Sequence, residues 1–169
     1  DSEVALQRIY ERWTRVLNDI TSIGDSIRDS AGDGESLSTM LRRLAKTTHA
    51  FLFDGILRNA GEYRKKEEPN EGAVYFGGRE PQSCRMKYKG THPNSIEEEV
   101  DEAFSLLVFE PNADKKVIVR RATIYYLLFV RVHPFYDANG RVGRMIVSVY
   151  LYMHGYYLDW EDINRKKGK

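Results

Sequence analysis

The segment from Lys115 to Val132 constrains the fold of this chain more than any other part. Apolar residues recur in it at the period of an α-helix and also occupy its remaining faces. One side carries Val117, Ile118, Ala122, Tyr125, Leu128 and Phe129, and other sides carry Ile124, Leu127 and Val130. A helix that is apolar nearly all round lies buried among other elements. The sequence therefore predicts a central helix, with Asp114 as its N-cap.

Four more segments repeat apolar residues at helical spacing: residues 3–28, 37–59, 95–108 and 142–153. The first of them is predicted as one helix, with an earlier end at Gly24 as the alternative, because glycine costs roughly 1 kcal/mol against alanine inside a helix. Residues 37–59 have a predicted inward face of Leu37, Leu41, Leu44, Phe51, Leu52 and Ile56. Ser95 and Glu98 form a capping box at the start of the third segment. Gly155 follows the last segment as a C-cap signal.

Residues 60–94 lose the helical period and are rich in glycine and proline. Two short extended runs, 73–76 and 84–88, flank a Gly-Gly-Arg-Glu-Pro segment and predict a β-hairpin, with an ordinary surface loop as the alternative. The exposed edge of a hairpin can bind an extended peptide by strand addition. The predicted fold class is therefore all-α with one small β-hairpin. Residues 1–36 form an N-terminal helix and loop in this prediction, and residues 37–169 form the core.

Composition limits the classes of function. A chain of 169 residues with 41% apolar residues suits one domain with a single core. A net charge of +1 gives no electrostatic reason to expect nucleic acid or an anionic membrane as partner. The most apolar run, residues 124–130, is far too short to span a bilayer. Because the lone Cys84 cannot form an internal disulfide, we expect a cytoplasmic protein or one delivered into a host cytosol.

The break between the central helix and the last helix holds the densest set of reactive groups, His133-Pro-Phe-Tyr-Asp-Ala-Asn-Gly-Arg-Val-Gly-Arg144. Asn139 and Gly140 indicate a turn directly before the last helix. Arg141, Arg144 and Ser148 then lie on the polar side of that helix, and the two arginines are close to its free N–H groups and positive dipole end. This combination predicts an anion site suited to polyphosphate.

Three other residues of the break have separate predicted roles. Asp137 can hold Mg²⁺, which takes one or two carboxylates plus substrate phosphates, and it can also cap the last helix. His133 is the expected proton acceptor, because imidazole titrates near neutral pH. Phe135 is expected to anchor the loop in the core. The remaining histidines, His49, His92 and His154, lack metal-ligand spacing, so a zinc site is not expected.

The stretch from His133 to Arg144 resembles the signature of the Fic family, H-x-F-x-[DE]-[AG]-N-G-R-x-x-R, and matches it at every fixed position. The resemblance extends more weakly over roughly residues 37–158. It includes Gly61-Glu-Tyr-Arg64, which is similar to the family's Gly-x-x-Arg ahead of a target-docking flap. It implies a Fic-type helical bundle that transfers AMP from ATP to a hydroxyl side chain of a target protein.

The resemblance also implies a role for each site residue. The nucleotide-binding residues would be Asn139, Gly140, Arg141, Gly143 and Arg144, with Arg141 on the β-phosphate and Arg144 on the γ-phosphate. Mg²⁺ would bridge Asp137 and the α- and β-phosphates. A hydroxyl presented by the flap residues Ala73, Val74, Tyr75 and Phe76 would lose its proton to His133 and attack the α-phosphorus.

Two alternatives stay open at this point. Doc toxins resemble this chain at Ala138, bind ATP in the reverse direction and transfer the γ-phosphate, but they carry lysine where this chain has Gly140. Glycine lets a phosphate approach the backbone closely, which favours AMP transfer. The second alternative is a catalytically idle module that only binds a partner protein.

Regulation is where the sequence departs from the family pattern. Many Fic proteins are inhibited by a helix carrying [ST]-x-x-x-E-[GN], whose glutamate pairs with the second arginine of the signature. The nearest segment here runs from Thr21 through Gly24 to Asp25 and Ser26, with a shorter acid and a different following residue. We therefore expect the N-terminal helix to lie beside the ATP site and to inhibit weakly or not at all. An inhibitory helix elsewhere in cis, or an antitoxin-like partner, is the alternative.

Overall fold

A computed structural model describes residues 2–30, 35–67, 72–76, 88–160 and 162–163. Its α-helices are, in chain order, α1 (Ser2–Asn18), α2 (Ile20–Ser30), α3 (Leu37–Phe53), α4 (Ile96–Ser105), α5 (Lys115–Val132) and α6 (Asn139–Met153). Between α3 and α4, β1 (Tyr75–Phe76) pairs antiparallel with β2 (Tyr88–Lys89), with Tyr75 opposite Lys89. The predicted all-α fold with one small hairpin is confirmed. The second predicted extended run lies mostly outside the described residues, which contribute only its last position, Tyr88.

The sequence predicts the bounds of α5 correctly but not its full burial. Asp114 caps the helix by accepting a hydrogen bond from the Lys116 N–H at 2.7 Å. Its buried face consists of Ile118, Ala122, Tyr125, Phe129 and Val132. The predicted burial on all sides is wrong, since Leu127 is 62% exposed and Val117 and Ile124 are also exposed. The main helical neighbours of α5 are α4 and α6, and an apolar face remains uncovered.

The central helix of the molecule is α6 and not α5 as the sequence predicts, because α2, α3 and α5 all pack against α6. Every residue from Met145 to Leu151 is buried, and this run includes Ser148 on the side predicted to be polar. The helix ends at Met153, and Gly155 follows with a left-handed backbone (φ +79°), as its position predicts. A helix covered on three sides buries both its apolar and its polar faces, which a single-sided apolar pattern does not reveal.

The N-terminal segment forms two helices, α1 and α2, that meet at Asp19, where the sequence predicts one. The alternative of a helix end at Gly24 is wrong, because α2 continues to Ser30. Gly24 is buried against α6, and a Cβ atom there would stand 2.4 Å from Cδ1 of Tyr152. The missing side chain thus permits close helix packing.

Two predicted helix ends are also wrong. α3 ends at Phe53 instead of Asn59, since the chain turns through Gly55 with φ +68°. Phe51, predicted to face inward, is exposed. α4 ends at Ser105, short of the predicted Val108.

Ser95 does not cap α4 through its side chain. It ends a 3₁₀ turn, Pro93–Ser95, that leads into the helix, so the predicted capping box is absent. Within the described ranges, no helix combines the length and apolar character that crossing a bilayer requires.

Candidate active site

The site begins where α5 ends, at His133. This residue is the C-cap of α5, has a left-handed backbone (φ 54°, ψ 57°), and donates its N–H to Phe129 O at 3.0 Å. Ala138, just before α6, is also left-handed (φ 57°). These are the non-glycine residues with positive φ in the described part of the chain. Such backbone costs on the order of 1–3 kcal/mol per residue and persists only where the surroundings impose it.

The side chain of Asn139 closes the loop between these two residues. Its Oδ1 accepts the Phe135 N–H at 2.9 Å, and its Nδ2 donates to Phe135 O at 2.8 Å. The amide is buried, so both of its polar atoms serve the loop backbone. Asn139 is the first residue of α6, so the Asn139–Gly140 pair lies within the first turn of the helix and not before it.

Phe135 anchors the loop in the core, as predicted. Its side chain is fully buried and stacks on the His49 ring with a centroid distance of 4.0 Å and an interplanar angle of 7°. The rings of Tyr63 and Phe129 contact it from other directions, at 5.1 and 6.4 Å. The loop is therefore held by aromatic packing as well as by hydrogen bonds.

His49 contributes to this anchor in its neutral form. Its Nδ1 accepts the Gly61 N–H at 2.9 Å, which requires an unprotonated nitrogen. Burial lowers the pKa of His49 from 6.5 to about 4, against opposing contributions from the Asp137 charge and backbone. The sequence analysis assigns this histidine no function, because its position in a helix alone does not reveal its contact with the loop.

Acidification is expected to destabilise the fold through His49. A histidine with a folded pKa below its unfolded pKa stabilises the fold fully above pH 6.5, and that stabilisation is lost as the pH falls toward 4. At pH 5 the loss is about 2 kcal/mol. His49→Asn keeps an acceptor for Gly61 but cannot titrate. Between pH 7 and 5 the unfolding free energy of the wild type should therefore fall by about 2 kcal/mol more than that of the variant. Urea unfolding measures this difference, and equal pH dependence in both proteins would contradict it.

Arg64 connects the start of the loop between α5 and α6 to the base of the hairpin through hydrogen bonds. Its buried guanidinium is 2% exposed in the folded chain. It donates to the main-chain carbonyls of Gly72, Thr91, Val132 and His133. The distance is 2.8 Å both from Nε to His133 O and from a terminal nitrogen to Thr91 O. The Arg64 N–H also donates to Pro134 O at 2.9 Å. One cation thus fixes His133 and the base of the hairpin together.

The hairpin meets His133 at Gly90. The Gly90 N–H donates to Val74 O at 3.0 Å, and the Thr91 N–H donates to Val132 O at 3.1 Å. A Cβ atom on Gly90 would stand 3.1 Å from Cβ of His133 and 2.8 Å from Val74. The structure therefore brings the predicted flap strand directly beside the predicted base. Sequence reasoning missed Gly90, which permits this approach.

A cleft of about 340 Å³ opens at the base of the hairpin. Its lining includes Ala73 and Tyr75 of the predicted flap, together with residues 89–93. Tyr75 is exposed, while Ala73 and Val74 are half-buried. The cleft can accept a side chain presented along the hairpin.

The environment of His133 favours a neutral imidazole. Its Nδ1 lies 3.2 Å from Val130 O, a distance at which a protonated Nδ1 donates to the carbonyl. Burial lowers the pKa of His133, and Arg64 lowers it further, while the Val130 carbonyl and Asp137 raise it. A neutral ring with Nδ1 protonated presents Nε2 as proton acceptor. This is the state that a general base requires.

Asp137 lies at the exposed end of the loop, with its side chain 61% exposed. Its Oδ1 accepts the Ala138 N–H and lies 3.5 Å from a terminal nitrogen of Arg141. Both contacts use Oδ1, so Oδ2 remains available to a cation. No cluster of three metal-binding side chains occurs among the described residues. A lone carboxylate beside a phosphate site suits Mg²⁺, which takes most of its ligands from phosphate and water.

The first turn of α6 lies beside this carboxylate. The first backbone N–H groups of a helix have no partner within it and attract anions. A Cβ atom on Gly140 would stand 3.5 Å from a terminal nitrogen of Arg144 and 3.8 Å from the Tyr126 hydroxyl. Arg144 is therefore close to this turn, as predicted. Gly143 has a different place, since it is buried against Tyr126 at the contact of α6 with α5.

The predicted regulatory residues lie on α2 and contact α6 near its C-terminal end, away from the candidate site. The Tyr152 hydroxyl donates to the Asp25 carboxylate at 3.1 Å, and Arg28 pairs with the same carboxylate at 3.4 Å. Thr21 is exposed. Tyr152 follows Arg144 by eight positions, which is about 12 Å along a helix axis. The structure does not bring Asp25 to Arg144.

Comparison with known proteins identifies the family of this fold and site. The family model described as Fic/DOC family matches residues 36–151. A probable protein adenylyltransferase of Aquifex aeolicus (strain VF5) is 42% identical over 38 residues, which make up 22% of this chain and 12% of that protein. The chain belongs to the Fic/DOC family.

Solved structures of Fic proteins share the fold. A Fic domain containing signaling protein from Bacteroides thetaiotaomicron aligns over 93% of this chain and 55% of its own, with a TM-score of 0.59 and 17% identity. The N-terminal Fic domain of a Bartonella effector protein aligns over 90% and 71%, with a TM-score of 0.52 and 17% identity. A Fic family protein from Desulfovibrio desulfuricans aligns over 85% and 46%, with a TM-score of 0.51 and 17% identity.

Proposed function

We propose that this domain transfers AMP from ATP to a hydroxyl side chain of a target protein and releases pyrophosphate. The observation that carries the proposal is the position of His133, which lies on the loop leading into α6 with its Cβ beside Gly90 at the hairpin base. Burial lowers the pKa of this histidine, which suits a general base. The Aquifex relative, named a probable protein adenylyltransferase, supports the same chemistry. Family membership alone does not decide which group is transferred.

In the proposed reaction, a target hydroxyl presented at the hairpin base, where Gly90 lies beside His133, gives its proton to Nε2 of His133. The hydroxyl oxygen bonds to the α-phosphorus as the bond from that phosphorus to the bridging oxygen breaks, and pyrophosphate leaves. The N–H groups of the first α6 turn, with Arg141 and Arg144, hold the phosphates and offset their charge. A Mg²⁺ ion held by Asp137 would neutralise further phosphate charge.

The test combines nucleotide binding with mass analysis of the products. Binding of ATP is measured with and without Mg²⁺, and candidate target proteins are then analysed for a covalent AMP. An AMP adduct with loss of pyrophosphate is expected. A phosphoryl adduct would indicate the Doc-like kinase, and nucleotide-independent partner binding would indicate the idle module.

The surroundings of Gly140 favour AMP transfer over the Doc-like alternative. A side chain at this position would project toward Arg144 and the Tyr126 hydroxyl. A lysine there would occupy the approach to the first turn of α6, whereas glycine leaves it to a phosphate. This supports the binding direction that presents the α-phosphate to His133.

Replacing the Asp137 carboxylate should remove most of the Mg²⁺ dependence of AMP transfer. Asp137→Asn retains an oxygen for the Ala138 N–H but loses the charge that binds the metal. We expect the rate at saturating Mg²⁺ to fall about 10²–10³-fold, the scale for one electrostatic partner. The rate is measured against Mg²⁺ concentration. An unchanged Mg²⁺ midpoint in the variant would rule out Asp137 as ligand.

We also propose that α2 does not inhibit the site. Asp25 is held by Tyr152 and Arg28, about two helical turns from Arg144. Asp25→Ala should therefore leave the rate of AMP transfer within about twofold, the effect of a surface change of about 0.5 kcal/mol. A tenfold rise would reveal Asp25 as an inhibitor. Inhibition by a separate antitoxin-like protein is compatible with this arrangement.

A further inference from the structure

Trp160 lies outside the family-matched residues 36–151 but returns to the candidate site. The chain reverses at Gly155, whose left-handed backbone ends α6, and the Tyr156 N–H donates back to Leu151 O at 2.9 Å. The segment that follows runs back along α6 as far as Ser148. Trp160 is thus a feature of this chain that the family signature does not include.

The indole of Trp160 has a fixed orientation. Its Nε1 donates to Oγ of Ser148 at 2.8 Å, and the same hydroxyl donates to Arg144 O at 2.9 Å. The Tyr126 ring lies 6.4 Å from the indole on the α5 side. Ser148 therefore joins Trp160 to the turn of α6 that carries Arg144. This hydrogen bond also accounts for a hydroxyl buried in the central helix.

Arg144 lies over the Trp160 ring, with 5.9 Å between its Cζ and the ring centroid. No carboxylate pairs with its guanidinium among the residues that the structure describes. The guanidinium is also close to Gly140, at the first turn of α6. The Trp160 ring thus covers one face of the Arg144 guanidinium and leaves this guanidinium beside the expected phosphate position.

We propose that Trp160 is a positioning residue for Arg144 and thereby increases the preference of the site for ATP over ADP. This rests on the proposed function, in which Arg144 contacts the γ-phosphate. A guanidinium held against a ring loses less conformational freedom when it binds phosphate. The ring therefore favours ATP, whose γ-phosphate reaches Arg144, over ADP, which has no γ-phosphate. A cation–π contact of about 0.5–1 kcal/mol corresponds to a factor of about two to five in affinity.

The test compares Trp160→Leu with Trp160→Phe, which keeps an aromatic ring but loses the donor to Ser148. Trp160→Leu should weaken ATP about two- to fivefold and leave ADP nearly unchanged, with the KM for ATP rising and kcat constant. Trp160→Phe should lie between wild type and Trp160→Leu. Calorimetry with each nucleotide and Mg²⁺ gives the affinities.

A double-mutant cycle separates positioning from a general effect on folding. In an Arg144→Ala background, Trp160→Leu should change ATP affinity no further, because its partner is absent. The chain has two tryptophans, so Trp13→Phe leaves Trp160 as the single reporter, and its emission should change more with ATP than with ADP.

Equal weakening of ATP and ADP, or the same loss in the Arg144→Ala background, would overturn the inference while the proposed function stands. Failure of wild-type protein to bind any nucleotide with Mg²⁺ would overturn both. If the double-mutant cycle shows the expected coupling of Trp160 and Arg144 in ATP affinity but no AMP adduct forms, the proposed transfer is overturned and the role of Trp160 at the ATP site is supported.

Discussion

His133→Ala is expected to lower the rate of AMP transfer about 10²–10⁴-fold, the range for loss of a positioned general base. ATP affinity should stay within about twofold, since the proposed phosphate contacts come from α6 and its arginines. The side chain carries no part of the hydrogen bond between Arg64 and His133 O, so the loop should keep its anchor. Transfer of α-labelled phosphate measures the rate, and calorimetry measures the binding.

The left-handed backbone at His133 makes a second variant necessary. Alanine tolerates φ 54° less well than asparagine, which adopts this conformation more often. His133→Asn therefore removes the base with less strain and serves as the matched control. Both variants should be similarly inactive. Transfer at the wild-type rate in either would exclude His133 as the base, and activity in Asn alone would show that backbone strain causes the loss.

The sequence predicts those features of the fold that depend on neighbouring residues. The bounds of α5 follow from a long helical period with Asp114 at its start, and the hairpin follows from two short extended runs around glycine and proline. Which helix lies at the centre of the fold cannot be predicted in this way, because that depends on how many other helices pack against it. α6 is covered by α2, α3 and α5, which its own apolar pattern cannot show.

The site divides in the same way. The motif residues from His133 to Arg144 come together because they are adjacent in the chain, so their grouping is predictable. The residues that hold them are remote: Arg64 is 69 positions from His133, and Trp160 is 12 from Ser148. Local patterns contain no signal for such contacts. Only the resemblance of its Gly-x-x-Arg segment to the family pattern points to Arg64.

The loop between α5 and α6 is held from three directions. Asn139 closes it by hydrogen bonds to the Phe135 backbone, and the Phe135 ring stacks on the ring of His49. Arg64 holds its first residue through the His133 carbonyl. Two left-handed residues bracket it, and their strain requires such support. These contacts fix the backbone that carries His133. None of them uses the imidazole, so the ring stays available for proton transfer.

Arg64→Met is expected to destabilise the fold by about 3–5 kcal/mol. The contacts to Gly72 O and Val132 O are buried and the other two are partly buried. Val132 O keeps the Thr91 N–H as a donor, and each of the other losses costs about 1–3 kcal/mol, which water entry partly offsets. Arg64→Lys keeps the charge but offers fewer donors without the planar fork, so its loss should be smaller. Arg43→Met serves as the control, because Arg43 is an exposed residue paired with Glu35 and should change stability by less than about 1 kcal/mol.

The measurement is urea unfolding of the four proteins, followed by AMP transfer on the stable ones. Because Arg64 holds both the His133 carbonyl and the hairpin base, Arg64→Lys should transfer AMP more slowly than its ATP affinity explains. A misplacement of the base by about 1 Å can cost on the order of 10²-fold in rate. Equal stability of Arg64→Met and Arg43→Met would show that the buried cation does not hold the site. Wild-type transfer in Arg64→Lys would show that the charge alone positions His133.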